Sequence, residues 1–418
     1  MRAVLALTLL AGVAAPLGAS AMTLPEAIAL ARRANPGLAQ VRAQSDAASA
    51  RLAQARAGRL PSLILSGESG GGTTDLGGFF GFGQSDVSPR AASLQLRQPL
   101  FSGGGVGAAI AQAGEGKAAA LAQVAGATAM LSAEVAAAYV GVLDAQDMLA
   151  LSEAQVREMG AITDQAELRF RGGEIPRTDL DQARVRQAEA RAGLARAEGQ
   201  LASSRAHFVS VVGAEPDGLE RVVVPPVKPA SLEEAITQAS RSSPALVAAQ
   251  AAERAARAGV RYAQADRLPN LALTATASTT RDQFFPGYRA EGVTVGVQGR
   301  WTLFSGGAVG GRVDEAGAEL RDAQARLDET RARMREAVIG AWGDVATASA
   351  VVLAATDQTQ AATGALDSVR NEVRVGQKPV LDLLDAEREA LAAQSALIAA
   401  RGAVTVSTYR LIALLQGQ

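Results

Sequence analysis

The chain is written twice, and this duplication constrains it more than any other feature of its 418 residues. Leu24-Pro25-Glu26-Ala27-Ile28 returns as Leu232-Glu233-Glu234-Ala235-Ile236, Asn35-Pro36 as Ser243-Pro244, and Leu60-Pro61 as Leu268-Pro269, all at an offset of 208 residues. Leu100-Phe101-Ser102-Gly103-Gly104 then returns as Leu303-Phe304-Ser305-Gly306-Gly307, now at an offset of 203. At that same offset Gly173, Pro176, Asp179 and Leu180 return as Gly376, Pro379, Asp382 and Leu383. A short deletion between the two sets of landmarks accounts for the change. A period this long exceeds that of any solenoid, so the chain reads as tandem copies of one large unit, residues 22–221 and 231–418. An extended linker at 222–230, stiffened by Pro225, Pro226 and Pro229, joins them.

Before the first copy comes Arg2, an apolar run from Ala3 to Leu17, and Ala19-Ser20-Ala21. This is the pattern of a cleaved signal peptide over residues 1–21, too short and too poorly flanked for a membrane anchor, and it sends the protein out of the cytoplasm. No helical anchor is expected after it. The absence of cysteine excludes disulfides, thiolate metal sites and a cysteine-linked lipid. With 41 basic and 42 acidic residues there is no basic field for nucleic acid. Alanine and glycine abound while aromatics make up 4% of the chain, a composition suited to long helices packed closely through small side chains.

Thr23 to Gly58 is helical in pattern, broken once at Asn35-Pro36 and ended by Leu60-Pro61. From Ser62 the period switches to two. Leu63 and Leu65 alternate with Ile64 and Ser66, and Ala92, Leu94 and Leu96 with Ser93, Gln95 and Arg97. The second copy is cleaner, with Leu271, Leu273, Ala275 and Ala277 against Ala272, Thr274, Thr276 and Ser278. Val293, Val295 and Val297 then alternate with Thr294, Gly296 and Gln298. Four strands with one apolar and one polar face are expected, at about 62–72, 91–100, 270–279 and 292–302. Their length is that of a tilted strand crossing an outer membrane. Phe79, Phe80, Phe82, Phe101, Phe284, Phe285, Tyr288, Trp301 and Phe304 gather in or beside them, as an interfacial girdle would.

Each strand pair ends in a sharp junction, Phe101-Ser102-Gly103 and Phe304-Ser305-Gly306. Glycine permits the turn there and serine is placed to cap the following helix. Gly103 to Phe170 and Gly306 to Val375 contain no proline and predict helices on the order of 100 Å long. Turns at Arg171-Gly172-Gly173 and Val375-Gly376-Gln377 end them, and helices about half as long follow. Four strands cannot close a membrane barrel, and open sheet edges are not tolerated in lipid, so the barrel must be shared between chains. Three copies would supply 12 strands.

These landmarks in order, above all Val375-Gly376-Gln377-Lys378-Pro379-Val380-Leu381-Asp382-Leu383-Leu384-Asp385-Ala386, resemble the TolC family of outer membrane efflux and secretion channels across nearly the whole mature chain. The resemblance implies a homotrimer in which a 12-stranded transmembrane β-barrel in outer membrane lipid continues into a long α-helical coiled-coil barrel through the periplasm. It implies a passive exit duct for a tripartite efflux pump or a type I secretion system, with a periplasmic adaptor and an inner membrane transporter as partners. It also implies a gate at the periplasmic end, where Asp382 and Asp385, one helical turn apart, would ring the constriction and Lys378 would join the closed-state network. Val373 stands where an aromatic gate partner is found in the family. The tips Arg171, Gly172, Gly173, Val375, Gly376 and Gln377 would receive the adaptor.

No enzymatic site emerges. His207 is the sole histidine, no serine sits in a nucleophile elbow, and Gly116-Lys117 lacks the flanking residues of a phosphate loop. No cofactor or metal is implied. The competing reading is a periplasmic coiled-coil adaptor, an interaction protein; such a protein would not repeat membrane-length strands with aromatic borders.

Overall fold

A computed structural model describes residues 21–78, 83–221 and 226–415. The signal peptide apart from Ala21, together with Phe79, Phe80, Phe82 and the first part of the linker, lies outside the described residues. The two copies fold into helices of identical length. α1 (Leu24–Ala34) and α5 (Leu232–Ser242) have 11 residues each, and α2 (Pro36–Ala57) and α6 (Pro244–Ala265) have 22. The long helices α3 (Gly105–Arg171) and α7 (Ala308–Arg374) have 67 residues each, and α4 (Arg177–Val212) and α8 (Val380–Leu415) have 36. Local chemistry sets these boundaries. Thr23 and Ser231 each accept a hydrogen bond from the N–H three residues on, at Glu26 and Glu234, and the Glu26 carboxylate accepts one from the Thr23 N–H. Pro36 and Pro244 open α2 and α6, where their missing N–H costs nothing.

The four expected strands form one sheet, and among the described residues two short strands pair beside them. β1 (Ser62–Ser69), β4 (Arg90–Ser102), β5 (Asn270–Arg281) and β6 (Arg289–Arg300) make one antiparallel sheet in the order β1-β4-β5-β6. β2 (Gly72–Asp75) and β3 (Gln84–Val87) pair separately. These additional strands have four residues each, too short for alternation to reveal them among the surrounding glycines.

By its internal contacts the chain divides into two compact units, and both draw on both sequence copies. One contains Met1–Pro36, Met130–Pro229 and Gly340–Ala413. Its interior is helical, with Tyr139, Phe208, Leu411, Val135, Val142 and Val212 packed out of water, and the Tyr139 hydroxyl lies 2.7 Å from the Met22 carbonyl and 2.9 Å from that of Glu220. Small residues allow close approach here. A Cβ added at Gly402 would fall 2.7 Å from Val140 Cγ1 and 2.3 Å from Asp144 Oδ2, so α3 and α8 meet at a spacing that only glycine allows. The other unit contains Gly37–Ala129 and Ala230–Ile339 with Leu414–Gln418, and it holds the sheet.

α3, α7 and α8 each contain an 18-residue stretch that is long and apolar enough to cross a membrane as a helix, by length and composition only. Alanine and valine dominate these stretches, and alanine counts as apolar although its burial releases little surface from water.

Asp144 is pushed up to about 6, first by burial and then by the negative charge of Asp147. Its charged form therefore weakens the fold at neutral pH, and the penalty disappears as pH falls below the value in the unfolded chain. Asp144→Asn should melt at a higher temperature than the wild type at pH 8, with the difference shrinking through pH 6 and gone near pH 4; a difference that is constant with pH would contradict this assignment.

Candidate functional site

In the four-stranded sheet, the hairpin register places side chains of one chemistry together. Leu63 pairs with Leu96 and Leu65 with Leu94; Leu94 and Leu96 pair in turn with Ala277 and Ala275, and these with Val293 and Val295. The opposite face carries Ser62, Ser66, Ser93, Gln95, Arg97, Thr274, Thr276, Thr294, Gln298 and Arg300. The apolar face is uncovered: Leu65 is 76% exposed, Val293 79% and Val295 66%. A contiguous band of branched side chains facing outward is what a strand offers to lipid, with the polar face left for water. At about 3.3 Å per residue the 12-residue β5 and β6 are long enough to cross when tilted.

Both sheet hairpins run into helices through equivalent turns. Gly103 and Gly306 both have φ of 60°, and Gly104 and Gly307 have 85° and 88°, in the left-handed region that glycine enters without strain. The Ser102 hydroxyl accepts from the Val106 N–H at 3.2 Å and that of Ser305 from Val309 at 3.4 Å. Phe101, Trp301, Leu303 and Phe304 are exposed beside these turns, and the Trp301 indole donates to the Arg267 carbonyl at 3.2 Å. An aromatic body in an apolar layer with its N–H satisfied suits the edge of a bilayer.

In the helical unit, both long helices end in the same motif. Gly173 and Gly376 take φ of 75° and 78°. Glu174 N–H reaches back to Arg169 O and Gln377 N–H to Glu372 O, both at 2.9 Å, while Gly173 and Gly376 donate to Phe170 O and Val373 O. This is the Schellman arrangement, and it caps the last carbonyls of α3 and α7 before Pro176 and Pro379 redirect the chain. Arg171, Gly172, Gly173, Val375, Gly376 and Gln377 are all exposed at these turns.

Beside the turns, Met159, Ile162, Leu180, Leu366, Val373, Val380, Leu383 and Leu384 pack into one core. Burial of Leu383 and Leu384 fixes the rotation of α8 and turns Asp385 outward, with Asp382 partly exposed one turn earlier. Val373 is buried in this core and packs as an ordinary aliphatic residue. Lys378 forms an ion pair with Glu372 at 2.9 Å, and that carboxylate, ahead of the nearby charge of Asp382, holds its ammonium above the usual lysine value. Asp385 instead lies 3.7 Å from Arg186 on α4 and 3.6 Å from Arg388.

A centre absent from the sequence reading is Arg370. Its Nη2 donates to Glu158 of α3 at 2.9 Å and to Glu387 of α8 at 2.8 Å. Burial alone would lower the arginine, but the carboxylates outweigh it and leave it raised. Glu387, whose side chain is only 6% exposed, is pushed above the usual carboxylate range because burial outweighs the attraction of Arg370. The first copy carries the same link with its signs exchanged: Glu167 of α3 faces Arg184 of α4 at 4.0 Å. Adding 203 to each of those numbers gives Arg370 and Glu387, so an expected equivalence of charge could not have located the pair. His207 is exposed on α4, and its carbonyl accepts from Ser210.

The sequence profile of the outer membrane efflux protein family matches residues 27–214 and again 235–417. The outer membrane efflux protein BepC of Brucella suis is 30% identical over 321 residues, which cover 76% of this chain and 70% of that protein. The outer membrane protein TolC of Escherichia coli is 26% identical over 387 residues, covering 89% and 77% respectively. The crystal structure of a membrane protein from Pseudomonas aeruginosa superposes with a TM-score of 0.82 at 21% identity, over 94% of this chain and 93% of that one. The paired profile matches coincide with the two sequence copies, and the long helices with a membrane-length sheet are this family's fold rather than that of a periplasmic adaptor. The chain belongs to the outer membrane efflux protein family, the family of TolC, and is an outer membrane channel protein of efflux or secretion.

Proposed function

We propose that the protein is the exit duct of a tripartite efflux pump or a type I secretion system, working as a homotrimer that conducts substrate passively from periplasm to exterior. The observation that carries this reading is the four-stranded sheet with an exposed apolar face and two unpaired edges. Three such sheets make a 12-stranded barrel with its polar face around a lumen, and no edge is left in lipid. A cleaved leader over residues 1–21 takes the chain to the periplasm.

The helical tips are the docking surface for a periplasmic adaptor, which couples the duct to an inner membrane transporter. Both tips are exposed and capped by the same left-handed glycine turn, with Arg171 and Val375 projecting from them. Cysteines introduced at Gly173 or Gln377, in a chain with none of its own, should crosslink to the adaptor, whereas cysteines at Ala127 or Ala332 within the long helices should not. Equal crosslinking at both sets of positions would reject tip docking.

The gate is formed where α7 and α8 end near the tips. Asp382 and Asp385 of three chains place six carboxylates around the axis, where they repel one another and attract cations. In each chain two ionic links hold the gate helices: Arg370 to Glu158 joins α7 to α3, and Arg186 to Asp385 joins α4 to α8. Opening therefore requires these contacts to part. In planar-bilayer recordings, replacing Asp382 and Asp385 by alanine should lower cation over anion selectivity and weaken block by divalent cations from the periplasmic side. Because Asp385 also carries the α4 to α8 link, resting conductance should rise. Unchanged selectivity and unchanged block would reduce both aspartates to surface charges.

A further inference from the structure

The polar face of the sheet carries charge of one sign at its helical end. Arg97 on β4 and Arg300 on β6 are equivalent in the two sequence copies, each five positions before its junction serine, Ser102 or Ser305. Each also stands opposite the first residue of the other strand of its hairpin, Arg97 opposite Ser62 and Arg300 opposite Asn270. The two guanidiniums are therefore set at one level of the sheet, beside the turns into α3 and α7. Two positions before them come Gln95 and Gln298, again equivalent, which offer amides on the same face.

Little on this face answers that charge. Among the described residues neither arginine has an ion-pair partner, and Asp266, the acid at the end of α6, is taken by Arg312 at 3.1 Å. Within the sheet the polar face carries one carboxylate, Glu68, which stands opposite Ala91. It lies six residues along β1 from the partner of Arg97, about 20 Å at 3.3 Å per residue, and a Debye length of about 8 Å at physiological salt leaves it little influence there. Both arginines are exposed, and with Asn270, Gln298, Ser102 and Val106 they line a recess of about 220 Å³ at the helical end of the sheet. No carboxylate lines that recess. Each guanidinium brings its fork of N–H donors, and the two amides add donors of their own.

We infer that Arg97 and Arg300 form an oxyanion-binding station in the duct, which takes the carboxylate or phosphate groups of small solutes on their way out. The inference rests on the homotrimeric duct with its polar sheet face around the lumen. Three chains then set six guanidiniums around the path, and a ring of arginines in a pore draws anions and raises their local concentration. A guanidinium holds an oxyanion through paired N–H···O bonds, so the station reads the geometry of the oxygens as well as their charge. Asp382 and Asp385 select by the opposite sign. A solute that carries only negative charge is opposed at the tips and held beside the sheet.

Planar-bilayer recordings of the full-length protein test this with pyrophosphate and with citrate, each added on the outer side. Both should block the wild type, and the double variant Arg97→Gln, Arg300→Gln should need at least tenfold more of either anion for the same block. Block by divalent cations from the periplasmic side should stay as in the wild type, because the aspartates are untouched. A conducting wild type that neither anion blocks, or equal block in the variant, overturns the station and leaves the duct standing; a protein that forms no channel overturns the duct reading itself. A second measurement keeps both arginines. In Gln95→Cys, the only thiol in the chain, an anionic methanethiosulfonate should react severalfold faster relative to a cationic one than the same two reagents do with a free thiol in solution. A ratio equal to that of the free thiol counts against a positive ring at this level.

Discussion

Backbone hydrogen bonding in a medium without water is the constraint on which the rest of this protein depends. An unpaired N–H or carbonyl in hydrocarbon costs several kcal/mol, so a β-sheet survives there only when it has no edge. This chain brings a sheet with two edges, β1 and β6, both exposed. Its strands are long, its faces are divided apart from Ile64 on the polar side, and its hairpins obey one register, yet none of this closes the sheet. The sheet of a single chain is therefore not a finished membrane structure.

The helices answer a different demand, which is length without bulk. A 67-residue α-helix extends about 100 Å, and its neighbours must remain in contact along much of that distance. Alanine and glycine allow this by bringing backbones together, as at Gly402 against Val140 and Gly105 against Ala265. Low side-chain entropy loss and high helix propensity accompany alanine, so long helices form readily even though each contact buries little surface. The polar remainder lies in surface ion pairs one turn apart, such as Arg326 with Asp322 and Arg333 with Glu329, whose individual contributions are small.

What the sequence made legible was whatever local chemistry determines. The Leu-Pro stops, the serine-capped glycine junctions and the alternation of Leu94 and Leu96 with Gln95 and Arg97 each specify a conformation within a few residues, and the structure follows them. What stayed hidden depends on partners far along the chain. Arg370 meets Glu158 across 212 residues, and no spacing announces that contact. Lys378 has carboxylates on both sides in sequence, at Glu372 and Asp382, and only the path of the turn around Gly376 decides that Glu372 is the one it pairs with. β2 and β3 escaped for the opposite reason, since four residues among glycines are too few to display a period.

The two copies diverge in a way that separates framework from function. Helix lengths, Schellman turns, left-handed glycines and strand registers are held in common, and these are properties of backbone and small side chains. Charge is what differs. Asp179 matches Asp382, but Gln182 stands where Asp385 does, Ile175 stands where Lys378 does, and the Glu167 to Arg184 link reappears reversed as Arg370 to Glu387. The reversal matters because the two versions are buried differently: Glu167 and Arg184 have side chains 37% and 51% exposed, where an ion pair is screened by water, while Glu387 is 6% exposed and depends on Arg370 to remain charged. A pair of the first kind tolerates separation. A pair of the second kind leaves a carboxylate stranded when it parts, so the second copy holds its helices by a contact that is costly to break, and a movable gate built from these two hairpins would resist opening at the second copy more than at the first.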